Sequence, residues 1–422
     1  MQTFAVNTLG CKVNQYESQQ IIRFLTDCKL LYVQNFQSAE IIIIHTCCVT
    51  QTASAKSRQL VHKAQKLNPN AKIIVSGCLL NSEPKEFESL KDKALFAPNI
   101  NELFALLNKE LSLNKPLPNK GLQKFCGQTR AFLKVQDGCD GYCSYCIIPT
   151  TRPDITFKPV EQIITETQDL VNSGHKEIIL TGIFLGAYGQ NTVKRKNWPN
   201  NENPMLADML EKAAQVPDLK RIRLSSLEPA DVTSRLLEVM KTYPNIMPHL
   251  HLSLQSGSDK ILKKMNRQYT VKDFLNSIEN INLQLDRPAI TTDIIVGFPG
   301  ETTQDFAQTL SVAKLAGFSK IHIFPFSKRA GTAAAKLQDQ INKEVITQRT
   351  KTLHELEKQL ADKFRKQFIG QTAQVLIESD VKNAGKCERY YEIIVKSNAT
   401  LAKGEIVKCT INEDAVTASI EN

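Results

Sequence analysis

Cys139, Cys143 and Cys146 lie in the segment Asp137-Gly-Cys-Asp-Gly-Tyr-Cys-Ser-Tyr-Cys146, separated by three and then two residues. A loop this short brings three thiolates to one point. Structural zinc takes four ligands, and no fourth Cys or His follows at zinc-like spacing. The four-cysteine run of bacterial ferredoxins is a different pattern. Three thiolates suit a 4Fe-4S cube with one iron left open to grip a further ligand. Cys11, Cys47 and Cys78 form a second set, each just beyond a short apolar, β-branched run.

For the second set to converge, its runs must be parallel strands of one sheet. Residues 4–8, 41–44 and 73–75 read as strands, with helices at 16–25 and 54–67 between them. The carboxyl ends of strands in an open α/β sheet line one crevice, where thiols distant in sequence can meet. Cysteine is also an ordinary small residue at strand ends. The spacing alone leaves both readings open, and the 139–146 loop favours the site.

The stretch 111–127, with Pro116, Pro118 and Gly121, reads as a linker. Beyond it, strands at 132–135, 177–180, 221–224, 250–254, 290–296 and 321–326 recur with helices between them. Six such units predict a partial (β/α) barrel, whose functional residues gather at the C-terminal ends of the strands. The 139–146 loop follows the first of them. A polar helix is expected over 342–368, with Val345, Leu353, Leu356, Leu360 and Phe364 along one face. Strands at 373–377, 391–395, 406–411 and 416–420, separated by Gly and Asn turns, predict a small C-terminal β-barrel. The expected fold class is α/β: an N-terminal open parallel sheet over 1–110, a central partial barrel over 126–366 and the small β-barrel over 367–422. No solenoid-type repeat or low-complexity tract interrupts this order.

Composition narrows the function classes. At 422 residues the chain needs more than one core. It opens without the features of a secretory leader. Its most apolar stretch, around 41–44, is far shorter than the roughly 20 residues that span a bilayer. A soluble, cytoplasmic protein without membrane contact is expected. In that compartment eleven cysteines are no disulfide framework, and clustered ones indicate metal or catalysis. The formal charge of +10 suits a polyanionic partner.

The 139–146 loop, with an aromatic residue before its last cysteine, resembles the signature loop of the radical S-adenosylmethionine superfamily. The resemblance implies a 4Fe-4S cluster on Cys139, Cys143 and Cys146. It implies S-adenosylmethionine chelated at the open iron and cleaved by one electron to a 5'-deoxyadenosyl radical. The whole chain is similar to the methylthiotransferases of that superfamily. The similarity runs from Thr8-Leu-Gly-Cys-Lys-Val-Asn-Gln15 through Thr46-Cys-Cys-Val-Thr50, Ser76-Gly-Cys78 and the radical loop to the small barrel. It implies a second, auxiliary 4Fe-4S cluster on Cys11, Cys47 and Cys78, where the inserted sulfur is held and methylated. Gly10-Cys-Lys-Val-Asn14 and Phe326-Ser-Lys-Arg-Ala-Gly-Thr332 resemble the branch that modifies N6-threonylcarbamoyladenosine at position 37 of transfer RNA. The implied reaction inserts sulfur and a methyl group at adenine C2, whose C-H bond general acid-base chemistry does not readily break. The alternatives are isopentenyladenosine tRNA or a ribosomal protein as substrate, or a non-catalytic metal-containing RNA-binding protein.

His45 stands where the family usually has Asn, and Thr151-Arg152-Pro153 where it has Ala-Arg-Gly. His45 is expected to pack rather than ligate. Tyr145, Gly182, Glu228, Gln255 and Gly297 are the expected S-adenosylmethionine contacts, although glycines there also suit turns. Cys28, Cys126, Cys387 and Cys409 are expected to be packed thiols. Cys48 should point away from the site occupied by Cys47, since neighbours in an extended segment face opposite ways. The C-terminal barrel resembles the TRAM RNA-binding domain, yet residues 367–422 hold 6 Lys plus Arg against 8 Asp plus Glu. RNA affinity is therefore expected from a local patch or from Lys194-Arg-Lys196, Lys220-Arg-Ile-Arg223 and Lys263-Lys-Met-Asn-Arg267, which also read as solvated surface. An electron-transfer protein is the expected reductant, and a monomer the expected state.

Overall fold

A computed structural model of the chain describes residues 1–83, 85, 87, 92–113, 115–116, 121–194 and 203–420. The first part is a parallel sheet of β1 (Thr3–Thr8), β2 (Leu31–Tyr32), β3 (Ile41–Thr46), β4 (Lys72–Gly77) and β5 (Leu95–Ala97), in the order β2-β1-β3-β4-β5. Strand β3 is buried along its whole length, which is why it reads as an unbroken apolar run. Helices α1 (Lys12–Asp27) and α4 (Ile100–Leu111) cover one face of the sheet, and α2 (Gln51–Leu67) and α3 (Cys78–Ser82) the other. The strand order reverses between β1 and β3, so the crevice beyond their carboxyl ends is the ligand position of this topology.

The second part begins with β6 (Arg130–Lys134) and a ribbon of β7 (Gln136–Asp137) and β8 (Thr156–Phe157), which brackets α5 (Ile148–Thr151). Helix α6 (Val160–Asn172) leads to β9 (Glu177–Thr181), and α7 (Met205–Ala214) to β10 (Arg221–Leu224) and β11 (Ser226–Leu227). Then come α8 (Ser234–Thr242), β12 (His249–Leu252), α9 (Asp259–Lys264), α10 (Val271–Gln284), β13 (Ala289–Val296), α11 (Thr303–Ala316) and β14 (Lys320–Pro325). Strands β6, β9 and β10 pair in parallel, as do β11, β12, β13 and β14. Only Ser225 separates β10 from β11, so the arc is the expected partial barrel of six parallel units. Alternate strand residues such as Leu250, Leu252, Ile294 and Ile321 pack under the helices, leaving their neighbours to face the lumen.

Helix α12 (Lys343–Lys366) packs along β14 and leads into a closed barrel of β15 (Thr372–Ser379), β16 (Ala384–Lys386), β17 (Glu392–Lys396), β18 (Ile406–Ile411) and β19 (Thr417–Ile420). β16 escaped the sequence reading because its Ala-Gly-Lys carries no alternation. Among the described residues, no helix is long and apolar enough to cross a membrane.

Two expectations about basic residues are corrected here. Arg221 and Arg223 are about 1% exposed. They flank Ile222 on β10, so both point to the inner face. There they meet Glu177, at 3.4 Å from Arg221 and 2.9 Å from Arg223, and then the carbonyls of the C-terminal barrel. Arg267 is also buried, whereas Lys263 and Lys264 are exposed. Lys194 lies over the Tyr142 ring and 3.4 Å from Asp140, while Arg195 and Lys196 fall outside the described residues.

Candidate active site

The radical-type loop leaves β7 and is fixed at several points. Gly138 has φ +78°, and a Cβ there would sit 1.9 Å from the Asp154 carbonyl, so only glycine lets the two chain segments approach. The Cys139 N–H donates to the Arg152 carbonyl at 2.9 Å, and Ser144 is held to Met265 and Ala334 through its own N–H and carbonyl. Cys139, Cys143 and Cys146 line a cavity of about 160 Å³ with Tyr145, Glu228 and Arg267. No fourth Cys and no His lines it. Arg267 donates to the Cys143 sulfur at 3.2 Å and pairs with Glu228 at 2.5 Å. One Glu228 oxygen remains buried without a hydrogen bond, an acceptor aimed at nothing in the protein. Burial pushes the Cys139 thiol up to about 11 and the Cys146 thiol up to about 12. A thiol set of this kind loses its protons to a metal rather than to water. Three converging thiols with no fourth protein ligand fit a cluster with one open iron.

Tyr145 and Glu228 therefore belong to this cavity. Gly182, Gln255 and Gly297 lie outside its lining. A Cβ on Gly182 would meet Gln136 at 2.8 Å, and one on Gly297 would meet Ile346 of α12 at 2.4 Å, so both approach protein. Gln255 bridges to β13, its N–H donating to the Asp293 carbonyl at 2.8 Å.

Cys11, Cys47 and Cys78 stand at the ends of β1, β3 and β4, on the crevice where the strand order reverses. Gly10, at φ +113°, leaves room for Cys47, whose Cβ and sulfur would lie 2.8 and 3.0 Å from a Cβ at that position. Cys11 feels Cys78 electrostatically, and Cys47 feels both. Burial raises Cys11 and pushes Cys47 up to about 11. Cys78 moves the other way, to about 6: the Cys48 thiol donates to it, burial opposes, and Arg152 favours the thiolate. Cys48 thus reaches Cys78 instead of pointing away. The chain has already left the extended strand at Thr46 and turns toward the Thr50 cap of α2, so strand alternation no longer applies.

Arg152 ties the two sets of cysteines together. It follows the radical loop through α5, and its Nε donates to the Cys78 sulfur at 3.3 Å. Its other nitrogens bind Glu17 at 2.6 Å and Asp137 at 2.9 Å. Glu17 also meets Lys134 at 2.9 Å and His45 at 3.0 Å, so His45 is a buried partner of a carboxylate. The 326–332 segment reaches the same region. Gln51 binds Ser327 and Lys328, and Arg329 pairs with Glu83 at 2.5 Å. Sequence reasoning missed Glu17, Lys134 and Arg267. A charged residue within an apolar helical face, as Glu17 is in α1, was the available signal.

A three-cysteine loop at the mouth of a six-unit parallel barrel defines a radical S-adenosylmethionine enzyme, and residues 133–313 match the Radical SAM superfamily. Residues 3–97 match the uncharacterized protein family UPF0004. The chain is 40% identical over 381 residues to the threonylcarbamoyladenosine tRNA methylthiotransferase MtaB of Chlamydia pneumoniae, covering 89% of this chain and 87% of that one. It is 33% identical over 432 residues to the protein of the same name from Bacillus subtilis strain 168, covering 97% and 94%. Among solved structures it resembles the radical S-adenosylmethionine methyltransferase TsrM of Kitasatospora setae. The TM-score is 0.56 at 12% identity, over 76% of this chain and 72% of that one, a likeness of fold. The chain belongs to the radical S-adenosylmethionine methylthiotransferase family. A 4Fe-4S cluster and S-adenosylmethionine come with that membership.

Proposed function

We propose that this enzyme methylthiolates C2 of N6-threonylcarbamoyladenosine at position 37 of transfer RNA. The observation that carries the reading is the pair of three-thiol sets joined through Arg152, the barrel set lining a cavity with no fourth Cys and no His among the described residues. Cys139, Cys143 and Cys146 hold the radical cluster, and Cys11, Cys47 and Cys78 the auxiliary one. Tyr145 and Glu228 are the S-adenosylmethionine contacts, while Gly182, Gln255 and Gly297, just beyond the ends of β9, β12 and β13, pack against protein. When bound, these groups supply the one-electron chemistry that an unactivated C-H bond requires. The chain's own residues position and shield. Arg267 and Glu228 fix the polarity of the cavity beside Cys143. Arg152 orients Cys78 and holds negative charge on its sulfur. Residues 1–110, 126–366 and 367–422 act as the sulfur-site, radical and RNA-binding units. The overall charge of +10 supports a tRNA partner. We place the enzyme in the cytoplasm as a monomer reduced by an electron-transfer protein. The names of the relatives support the choice of base.

Anaerobic reconstitution tests the reading. About eight irons per chain are expected. Cleavage of S-adenosylmethionine should disappear when the Cys139 set is changed to alanine, and methylthio product should need both cysteine sets and the threonylcarbamoyl group. Equal product on tRNA lacking that group would reject the substrate. Absence of cleavage by the fully loaded protein would reject the reaction.

A further inference from the structure

A third constellation, made of none of the six cysteines, lies on the lumen side of the barrel. His251 of β12, Asp293 of β13 and His322 of β14 come from three adjacent parallel strands. Their chain neighbours Leu252, Ile294 and Ile321 are buried beneath the helices, so strand alternation turns all three polar side chains inward. The register sets Asp293 directly beside His322 and sets His251 beside Thr291. One nitrogen or carboxylate oxygen from each of the three residues lies within 4.8 Å of the other two. The imidazoles face each other at a centroid distance of 5.6 Å, tilted by 42°.

His251 is held in the orientation a ligand needs. Its Nδ1 is 2.9 Å from the Thr291 hydroxyl, which fixes the ring and directs Nε2 toward the other two residues. That Nε2 lies 3.3 Å from an Asp293 oxygen, yet it is buried and makes no hydrogen bond. Holding one ring nitrogen so that the other is presented is how metal-binding histidines are commonly positioned. His322 is exposed, so the trio opens to solvent on one side. Lys12 and Lys320 are the opposing charges, Lys320 being paired with Glu357 at 2.9 Å; Arg223, near the neighbouring His249, is paired with Glu177 at 2.9 Å.

We propose that His251, Asp293 and His322 bind a divalent first-row transition ion. Two imidazoles and one carboxylate on rigid neighbouring strands form a three-ligand set with open positions, which suits zinc, iron(II) or manganese(II). The site uses no residue of the cysteine sets, and it stands whether or not the proposed base is the substrate.

The test uses the full-length protein with its iron-sulfur clusters assembled and oxidised, so that they are diamagnetic, and with loose iron removed. Manganese(II), which binds thiolates poorly, is titrated in while the free-ion EPR signal is followed. The wild type should take up one manganese per chain. His322→Ala and Asp293→Asn should each weaken uptake at least tenfold at unchanged iron and sulfide content. His322 is exposed, so its alanine variant keeps the readout valid even if Asp293→Asn folds poorly. No uptake by the wild type, or equal uptake by His322→Ala, would overturn the site.

Discussion

Glu17, about 1% exposed and surrounded by His45, Lys134 and Arg152, is one of the residues that join the sulfur-site sheet to the barrel. Burial alone would favour a neutral carboxyl, but Lys134 and Arg152 more than offset it and hold Glu17 well below the usual carboxylate range. Removing one partner of a buried ionic group strands the others, at a cost of about 3 kcal/mol. Glu17→Gln should therefore destabilise the chain by about that amount in denaturant titration. The pH dependence has a definite sign. A carboxyl whose folded value is depressed contributes stability above its unfolded value of about 4.3, and that stability is lost as pH falls toward the folded value. The wild type should lose stability on acidification below about 4.3, and Glu17→Gln should show a flatter acid limb; parallel acid limbs would remove Glu17 from this role.

At the scale of elements, the turn between β1 and α1 decides whether the auxiliary thiols can meet. Gly10→Ala would place a methyl group 2.8 Å from the Cys47 Cβ, on a backbone with φ +113°. The turn must then open. Iron should fall from about eight to about four per chain, while cleavage of S-adenosylmethionine persists on the intact radical loop; unchanged iron content would show that the turn accommodates the methyl. The elements at stake were largely legible in the sequence. Strands β3 and β4 announce themselves by apolar runs shortly before Cys47 and Cys78, because parallel strands buried on both faces are apolar, whereas the half-buried β1 is marked only by Phe4-Ala5-Val6. The Arg152 network was not legible, since Glu17 lies 135 residues from Arg152 and 117 from Lys134, and only packing brings them together. Arg221 and Arg223 looked like surface charge for a related reason. Their neutralising Glu177 sits on the adjacent strand β9, and nothing local marks the pairing.

Across the whole molecule, the C-terminal barrel is held to the radical barrel by side chains that enter its backbone. Arg223 donates to the carbonyls of Cys387 at 2.9 Å and Glu388 at 2.7 Å, and Arg221 to those of Lys386 at 3.0 Å and Gln374 at 2.5 Å. Arg130 pairs with Glu378 at 2.5 Å and, like Arg223, lies over the Tyr390 ring. The clamp is polar and centred on the buried Arg221 and Arg223, so it fixes position with little tolerance for loss of one of them. Arg223→Met would remove the side-chain donors to the carbonyls at 387 and 388, the first keeping only the Tyr390 N–H at 3.0 Å, and would leave Glu177 with a weaker set of partners. Because these contacts lie between the two barrels rather than within either core, the variant should not unfold uniformly. Calorimetry should separate an early transition of residues 367–420 from the later one of the remainder, and limited proteolysis should cut first near 367–371, between α12 and β15. Reconstituted iron and cleavage of S-adenosylmethionine should be unchanged, whereas tRNA binding should weaken if the small barrel must be held in a fixed position to share the polyanion with the rest of the chain. A single transition with uncut protein would mean that the apolar contact of Ala289 with Phe364 and Phe368 holds the barrel without the arginines.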